Sequence, residues 1–191
     1  MTVRVIGPRE GWATTPGVIN TTSRSTTWSR GLSPFYLGPV PLYEGAPIPT
    51  ARNFENAWQF AKVYPTQVGP DGNPSPVYWS WATAGWQNPR AERYPMGKGA
   101  IPAYSYWEGQ RLDYISARKA IYFPLYARLV AETEAFGLLL ETYRRDGAVT
   151  LWDFDGYDHL ALGYSLKDVL NDPTRKMGHA FVLAYLLEKM R

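Results

Sequence analysis

The alternation of apolar and polar positions predicts helices through most of the second half of the chain. Residues 112–123 carry one helical pattern, and Pro124 suits the first turn of the next helix because its missing N–H would be unpaired there. Residues 133–145 predict a third helix, which ends at Asp146-Gly147, a dipeptide typical of helix C-caps. Helical patterning therefore dominates this region.

Shorter elements are predicted on either side of it. Asn53 is a candidate N-cap for a helix over residues 54–64, before the break at Pro65. The β-branched and aromatic run AVTLWDF predicts a strand over residues 148–154. Ser165 can cap a short helix, and a final helix is predicted from about Met177 to Met190.

The order of these elements predicts an α+β fold, mainly helical, with a small sheet. Residues 1–27 are rich in Thr, Ser, Gly and Arg and predict an irregular N-terminal arm with one short strand near Val3–Ile6. Residues 28–191 then form a single domain. Strands and helices do not alternate regularly, so a doubly wound sheet is not expected.

Composition narrows the class of protein. The chain has 191 residues, 45% hydrophobic and 19% charged, which disfavours disorder. It has no cysteine and two histidines, which excludes disulfides, a thiolate nucleophile, Cys-ligated zinc and a His-rich metal centre. The longest apolar runs, about eight residues, are too short to span a bilayer. The first residues lack a secretory pattern, so a cytoplasmic protein without a membrane partner is expected. The oligomeric state stays open.

The net charge of +3 and the 29 aromatic residues are compatible with a base or nucleic-acid partner without requiring one. The P-loop, dinucleotide-binding and nucleophile-elbow motifs are absent from the sequence.

The most informative segment is ENAWQFAK, residues 55–62. On a helix, Glu55, Gln59 and Lys62 share one face, with Trp58 beside it. This stripe is either a solvent face or a rigid site that presents a carboxylate, an amide and an amine. A lysine near apolar groups can become a nucleophile for C1 of a ring-opened sugar, and a neighbouring carboxylate can move protons.

A second cluster follows the predicted strand. Its three carboxylates are Asp153, Asp155 and Asp158. They are either an acidic turn with an Asx cap or groups that bind ribose hydroxyls and orient water. His159 could join this cluster, whereas His179 is typical of a cap or a core hydrogen-bonding residue.

Three motifs together resemble the NADAR (YbiA-like) family: LSPFYLGPV at residues 32–40, the tripeptide at 43–45 and the helix at 55–62. The likeness covers roughly residues 28–191, in the family's order. The chain departs from the family pattern at Pro34, at Asn56, at Gly156-Tyr157 and at His179.

The resemblance implies a YbiA-like fold and metal-independent, cofactor-free cleavage of an N-glycosidic bond. It implies that Lys62 is the Schiff-base or electrophilic partner of ribose C1, that Glu55 is its acid/base neighbour and that Asp155 or Asp158 is the second carboxylate. The residues it implies for ligand binding are Ser33, Phe35, Tyr36, Trp58, Gln59, Trp107, Asp153 and Asp158. The predicted enzyme brings Glu55, Lys62 and Asp155 together.

The predicted reaction removes ADP-ribose from a modified guanine in DNA, which would reverse a toxin or phage-defence modification. Two alternatives stay open: an N-glycosidase acting on a small riboside such as a riboflavin-pathway intermediate, and a non-catalytic module that binds ADP-ribose, a nucleotide or modified DNA. A third alternative is a structural or interaction protein that binds a partner chain through its aromatic surface.

Overall fold

The computed structural model describes residues 2–190, and its chain divides into two compact units. The first unit contains Met1–Tyr36 and Tyr126–Arg191, and the second contains Leu37–Leu125. Helices and short strands make up both units, so the predicted α+β class is confirmed. Within the described residues 2–190, the strands form three small sheets instead of the single small sheet that was predicted.

The first unit is built on a three-stranded parallel sheet. Strand β8 (Ala148–Trp152) lies at its centre, between β1 (Thr2–Ile6) and β2 (Val18–Asn20). Residues 1–27 are therefore not an irregular arm, because they supply both outer strands. The predicted strand near Val3–Ile6 is confirmed, and Val3 and Val5 are buried. Strand β2 was missed because three residues carry too little pattern to indicate a strand without knowledge of their partner.

Helix α7 (His179–Lys189) packs against β1 and supplies much of the core of this unit. Phe181, Val182, Leu183 and Leu187 are each at most 2% exposed. Burying a large aliphatic or aromatic side chain stabilises a fold by about 1.5–3 kcal/mol, so this helix is a principal source of stability. Among residues 2–190, no helix is long and apolar enough to cross a membrane.

Local capping signals place two further helices of this unit where they were predicted. Helix α5 (Glu134–Asp146) ends at Gly147, which adopts the left-handed conformation with φ of 71°. Helix α6 (Leu166–Asn171) begins at Ser165, whose side chain accepts from the Asp168 N–H while the Asp168 carboxylate accepts from the Ser165 N–H.

The second unit packs helices α1 (Phe54–Gln59) and α2 (Pro76–Gln87) beside small antiparallel sheets. The strands of these sheets are β3 (Val40–Pro41), β4 (Thr50–Ala51), β5 (Lys62–Val63), β6 (Tyr104–Trp107) and β7 (Gln110–Leu112). Gly85 of α2 lies against the Phe60 ring so closely that an added Cβ would overlap it. This glycine therefore permits the close packing of α2 on the end of α1.

The predicted helix over residues 54–64 ends five residues early. Asn53 is its N-cap, as predicted, and accepts a hydrogen bond from the Asn56 N–H at 2.9 Å. Helix α1 stops at Gln59, and Lys62 lies in β5, where it pairs with Ser105. Strand pairing with a distant segment thus overrides the local helical propensity of this stretch.

The segment that follows β7 is helical as predicted, with one irregular turn. Helix α3 (Tyr114–Ala117) leads into a π-helical turn over Arg118–Tyr122 and then into α4 (Phe123–Ala131). In the π turn the Phe123 N–H donates to the Arg118 carbonyl. Pro124 directly follows this turn and has no N–H to donate to the helix. The π turn therefore interrupts the regular α-helical hydrogen bonds next to the residue that could not have formed one.

Candidate functional site

A chain of three polar side chains runs from α1 to β5 in the second unit. The Gln59 amide nitrogen donates to Glu55 Oε1 at 2.9 Å, and Lys62 Nζ donates to Gln59 Oε1 at 2.6 Å. Glu55 and Gln59 are each 7% exposed, and Lys62 is half-buried. The side chains expected on one face therefore do cluster, although Lys62 reaches the cluster from a strand and not from the helix. We call this set the Glu55–Gln59–Lys62 chain.

Trp58 lies directly beside this chain. Lys62 Nζ is 4.9 Å from the centre of the Trp58 ring, within the range of a cation–π contact. The indole is buried and also packs edge-on against Tyr122, with ring centres 5.1 Å apart. Trp58 thus fixes the position of the Lys62 amine, and a ligand role for Trp58 stays a prediction.

Asn56, one of the departures from the family pattern, organises the backbone around the helix. Its side chain is fully buried, and its amide nitrogen lies 2.9–3.0 Å from the carbonyl oxygens of Gly85, Asn88 and Arg90. Its carbonyl oxygen accepts from the Glu92 N–H at 2.8 Å. Asn56 is therefore fully engaged in holding the segment after α2 against α1.

Trp107 does not have the base-stacking role that the resemblance implied. Its indole is 5% exposed and packs edge-on against the Tyr43 ring, with centres 4.8 Å apart. A base cannot stack on a ring whose surface is already covered by neighbouring side chains. Trp107 is a core residue of the second unit.

Asp153, in the first unit, is part of a closed structural network and not a ligand-binding carboxylate. Asp153 Oδ2 lies 3.0 Å from His179 Nδ1 and accepts from the Ala180 N–H, so it caps the start of α7. His179 Nε2 lies 2.8 Å from the Thr21 carbonyl oxygen. Gly178 is needed at this point because an added Cβ would overlap the Asp153 carboxylate. His179 thus has the core hydrogen-bonding role predicted for it.

The electrostatics of Asp153 agree with this assignment. Burial alone would raise the pKa of its carboxyl, but the His179 imidazolium and the N–H groups of Ala180 and Asp155 outweigh burial and lower the pKa to about 2. The carboxylate is 3% exposed. It is therefore charged, sequestered and committed to holding α7.

The other two carboxylates of this cluster have separate partners. Asp158 Oδ2 pairs with the Arg4 guanidinium at 2.6 Å, and Asp158 Oδ1 accepts from the Ala161 N–H. Burial works against the charged form of Asp158, but these contacts outweigh it and lower its pKa. Asp155 Oδ1 lies 3.9 Å from Lys176 Nζ. The three carboxylates thus do not converge on one point, and among residues 2–190 no group of three His, Cys, Asp or Glu side chains could hold a metal ion.

His159 lies beside this cluster without joining it. Its ring is 1% exposed and packs edge-on against Phe181, with ring centres 5.6 Å apart. Burial lowers the pKa of the imidazole. A neutral ring packed in this way fills the core of the first unit.

The segment at residues 33–36 supplies one exposed aromatic ring. Ser33 is buried, and its hydroxyl accepts from the Phe35 N–H in a local turn. Tyr36 is half exposed, with the Arg30 guanidinium 4.5 Å from its ring centre and bonded to its hydroxyl. Tyr36 and the half-buried Phe35 therefore offer a ligand some surface, whereas Ser33 supports the turn.

The first unit also contains a pocket that sequence reasoning missed. Its volume is about 430 Å³, and Asp155 is the one predicted site residue in its lining. The other lining residues are Pro8, Arg9, Phe154, Gly156, Tyr157, Thr174, Arg175 and Lys176. The available signal was the basic pair Arg175-Lys176 in the turn after Pro173, but nothing local connects that turn with Arg9.

Comparison with protein-family models, curated proteins and solved structures finds no match to this chain. The predicted meeting of Lys62 with Asp155 involves one residue from each unit and stays a prediction.

Proposed function

We propose that this chain is an N-glycoside hydrolase that removes ADP-ribose from a guanine base in DNA, with Glu55 and Lys62 as its catalytic groups. The observation that carries the proposal is the Glu55–Gln59–Lys62 chain, in which one amide links a buried carboxylate to a half-buried amine. The resemblance of residues 32–40 and 55–62 to the NADAR family supports the same reaction and a YbiA-like fold. A cytoplasmic role in reversing a defence modification is part of the proposal.

The proposed chemistry follows from Glu55 and Lys62, the two residues at the ends of the Glu55–Gln59–Lys62 chain. Hydrolysis breaks the bond between ribose C1 and the base nitrogen, forms a bond from water oxygen to C1, and returns a proton to the leaving base. Glu55 would stabilise the positive charge that develops at C1 and accept the proton of the attacking water. Lys62, as an ammonium, would donate to the departing base.

Two contacts of Lys62 favour this electrophilic role over a Schiff base. The face of the Trp58 ring and the Gln59 oxygen are both partners that a cation prefers. A Schiff base would require the neutral amine to leave both contacts and attack C1 of the opened sugar. Gln59 acts in either case as a positioning residue, since its amide bonds both catalytic groups.

The test uses single-stranded DNA carrying ADP-ribose on guanine, with release of ADP-ribose followed by mass spectrometry. We expect release by the wild type and a loss of about 100-fold or more for Glu55→Gln and Lys62→Met, the usual contribution of a general acid or base. Lys98→Met is the matched control, because Lys98 lies in an exposed turn. Retention of activity by both site variants would refute the proposed roles.

The same substrate separates hydrolysis from binding alone. Binding without release by the wild type would support the alternative of a non-catalytic module. A small riboside would then be the next substrate, because the resemblance also covers enzymes that act on such compounds. Borohydride added during turnover traps a Schiff base as a covalent adduct, so an adduct on Lys62 would overturn the electrophilic role while leaving the reaction intact.

A further inference from the structure

The pocket of the first unit lies at the carboxyl ends of two parallel strands. Pro8 and Arg9 follow β1 by two and three residues, and residues 154–157 follow the central strand β8. In sheets of parallel strands, ligands bind in the crevice outside these ends, where the loops diverge. The position of the pocket therefore has the geometry of a binding site.

The base of the pocket is rigid because two glycines bring its loops into contact. An added Cβ on Gly7 would overlap the Gly156 carbonyl, and one on Gly156 would overlap the Ile6 carbonyl. The Gly156 N–H also donates to the Asp153 carbonyl. The loops that carry Arg9 and Asp155 are thus held together before any ligand arrives, which reduces the entropy that binding must overcome.

The charge of the lining is strongly unbalanced. Three cationic side chains, Arg9, Arg175 and Lys176, face one carboxylate, Asp155. The Arg175 guanidinium is 5.2 Å from the Tyr157 ring centre, and Lys176 Nζ is 3.9 Å from Asp155 Oδ1. Arg175 Nε also lies 3.7 Å from Asp172 Oδ2, a carboxylate outside the lining. Three cations against these two carboxylates still leave the pocket with a net positive charge.

Arginine and lysine from two different loops suit a phosphorylated ligand. A guanidinium binds phosphate oxygens through two parallel hydrogen bonds, and an ammonium adds a compact charge. Arg9 comes from the loop after β1, whereas Arg175 and Lys176 come from the turn before α7. Because these cations lie on both sides of the crevice, they suit a ligand with two linked phosphoryl groups better than a ligand with a single phosphoryl group.

We propose that this pocket binds the diphosphate of a nucleoside diphosphate, with Arg9, Arg175 and Lys176 as its phosphate ligands. A volume of about 430 Å³ lies within the range of about 300–1,000 Å³ that is typical of small-molecule sites. A polynucleotide would instead require cations spaced along an extended groove. The inference uses none of Glu55, Gln59 or Lys62, but it shares Asp155 with the site that the resemblance implies. Its tests measure binding alone, so they can fail while the hydrolysis assay succeeds.

The test measures binding of ADP, inorganic pyrophosphate and adenosine to the full chain by isothermal titration calorimetry. We expect ADP and pyrophosphate to bind with an affinity that falls as salt is raised, and adenosine to bind at least tenfold more weakly than ADP. Adenosine binding as tightly as ADP would overturn the proposal. Single-stranded DNA competing better than ADP would also overturn it, in favour of a polynucleotide surface.

Variants assign the binding to this pocket. Arg9→Gln and Lys176→Gln should each weaken binding of ADP and pyrophosphate about tenfold or more, because each removes a charge-assisted hydrogen bond to a phosphate oxygen. Arg52→Gln and Lys98→Gln, at exposed positions of the second unit, are the matched controls and should leave affinity unchanged. Equal losses in pocket and control variants would show general charge attraction and refute the site.

Asp155→Asn gives a prediction of opposite sign. Removing the one negative charge of the lining should tighten pyrophosphate binding several-fold, because like-charge repulsion disappears. Weaker binding of pyrophosphate to this variant, with an unchanged melting temperature, would contradict the proposed charge arrangement. All of these experiments measure ligand binding. If they refute the diphosphate site, the result of the hydrolysis assay still stands.

Discussion

The Asp153–His179 pair and the Glu55–Gln59–Lys62 chain each connect an acidic with a basic side chain, and they differ in how they end. The Asp153–His179 pair continues to backbone groups on both sides, through Thr21 and Ala180. The Glu55–Gln59–Lys62 chain leads from a buried carboxylate to a half-buried amine. The first network joins elements of the fold, whereas the second connects a buried carboxylate with a half-buried amine.

The comparison of Asp153 with Glu55 shows that residue type alone does not tell a structural carboxylate from a candidate catalytic one. Both carboxylates follow or begin a regular element, and both are less than 10% exposed. What distinguishes them is their partners: Asp153 caps a helix, whereas Glu55 bonds a side-chain amide. Stability should therefore depend mainly on the first pairing and turnover mainly on the second.

The largest effect expected on stability comes from breaking the Asp153–His179 pair. Asp153→Ala should lower the free energy of unfolding by about 3–5 kcal/mol, because it leaves the buried His179 imidazolium and the Ala180 N–H without their carboxylate partner. Urea unfolding of the variant and wild type measures this loss. Asp155→Asn, at a half-buried position of the same loop, is the control. A loss as small as that of the control would contradict the structural assignment.

The pH dependence of stability is the next test of the same pair. The pKa of Asp153 is lowered from 3.8 to about 2 by folding, so an unfolded chain takes up this proton first as pH falls. The stabilisation is complete above pH 3.8 and is lost as pH falls toward about 2, an effect of roughly 2 kcal/mol.

Other carboxyl groups also titrate in this range, so the measurement is a difference between two proteins. Urea unfolding of the wild type and of Asp153→Asn is compared at a series of pH values. The difference in free energy of unfolding between the two proteins should decrease by roughly 2 kcal/mol as the pH falls from 3.8 to 2. A gap that stays constant with pH would contradict the lowered pKa.

Local signals in the sequence were sufficient for much of the fold. Asn53, Ser165 and Gly147 each lie at the helix end that their chemistry predicts, because capping depends on residues within one turn. The clustering of Glu55, Gln59 and Lys62 was also predicted from spacing. It survives the early end of α1 because Lys62 has a long side chain that reaches Gln59 from β5.

Features that depend on distant partners were not predictable in this way. The roles of Asp153 and Trp107 are decided by His179 and Tyr43, which are remote in sequence. The parallel sheet requires β1 and β8 to meet across more than a hundred residues. The pocket arises only after that pairing, since it joins loops that no local pattern connects.

The smallest effect expected concerns Asp158, which pairs with Arg4 nearer the surface. Half of the Arg4 side chain is exposed, so solvent screens the attraction despite the 2.6 Å separation. A double-mutant cycle of Arg4→Gln and Asp158→Asn should give a coupling energy of about 0.2–1 kcal/mol, which 1 M salt should largely remove. Coupling as strong as that between Asp153 and His179 would place Asp158 in the same structural class and argue against its predicted role in binding. Weak, salt-sensitive coupling leaves the Asp158 carboxylate able to exchange Arg4 for a ligand at little energetic cost.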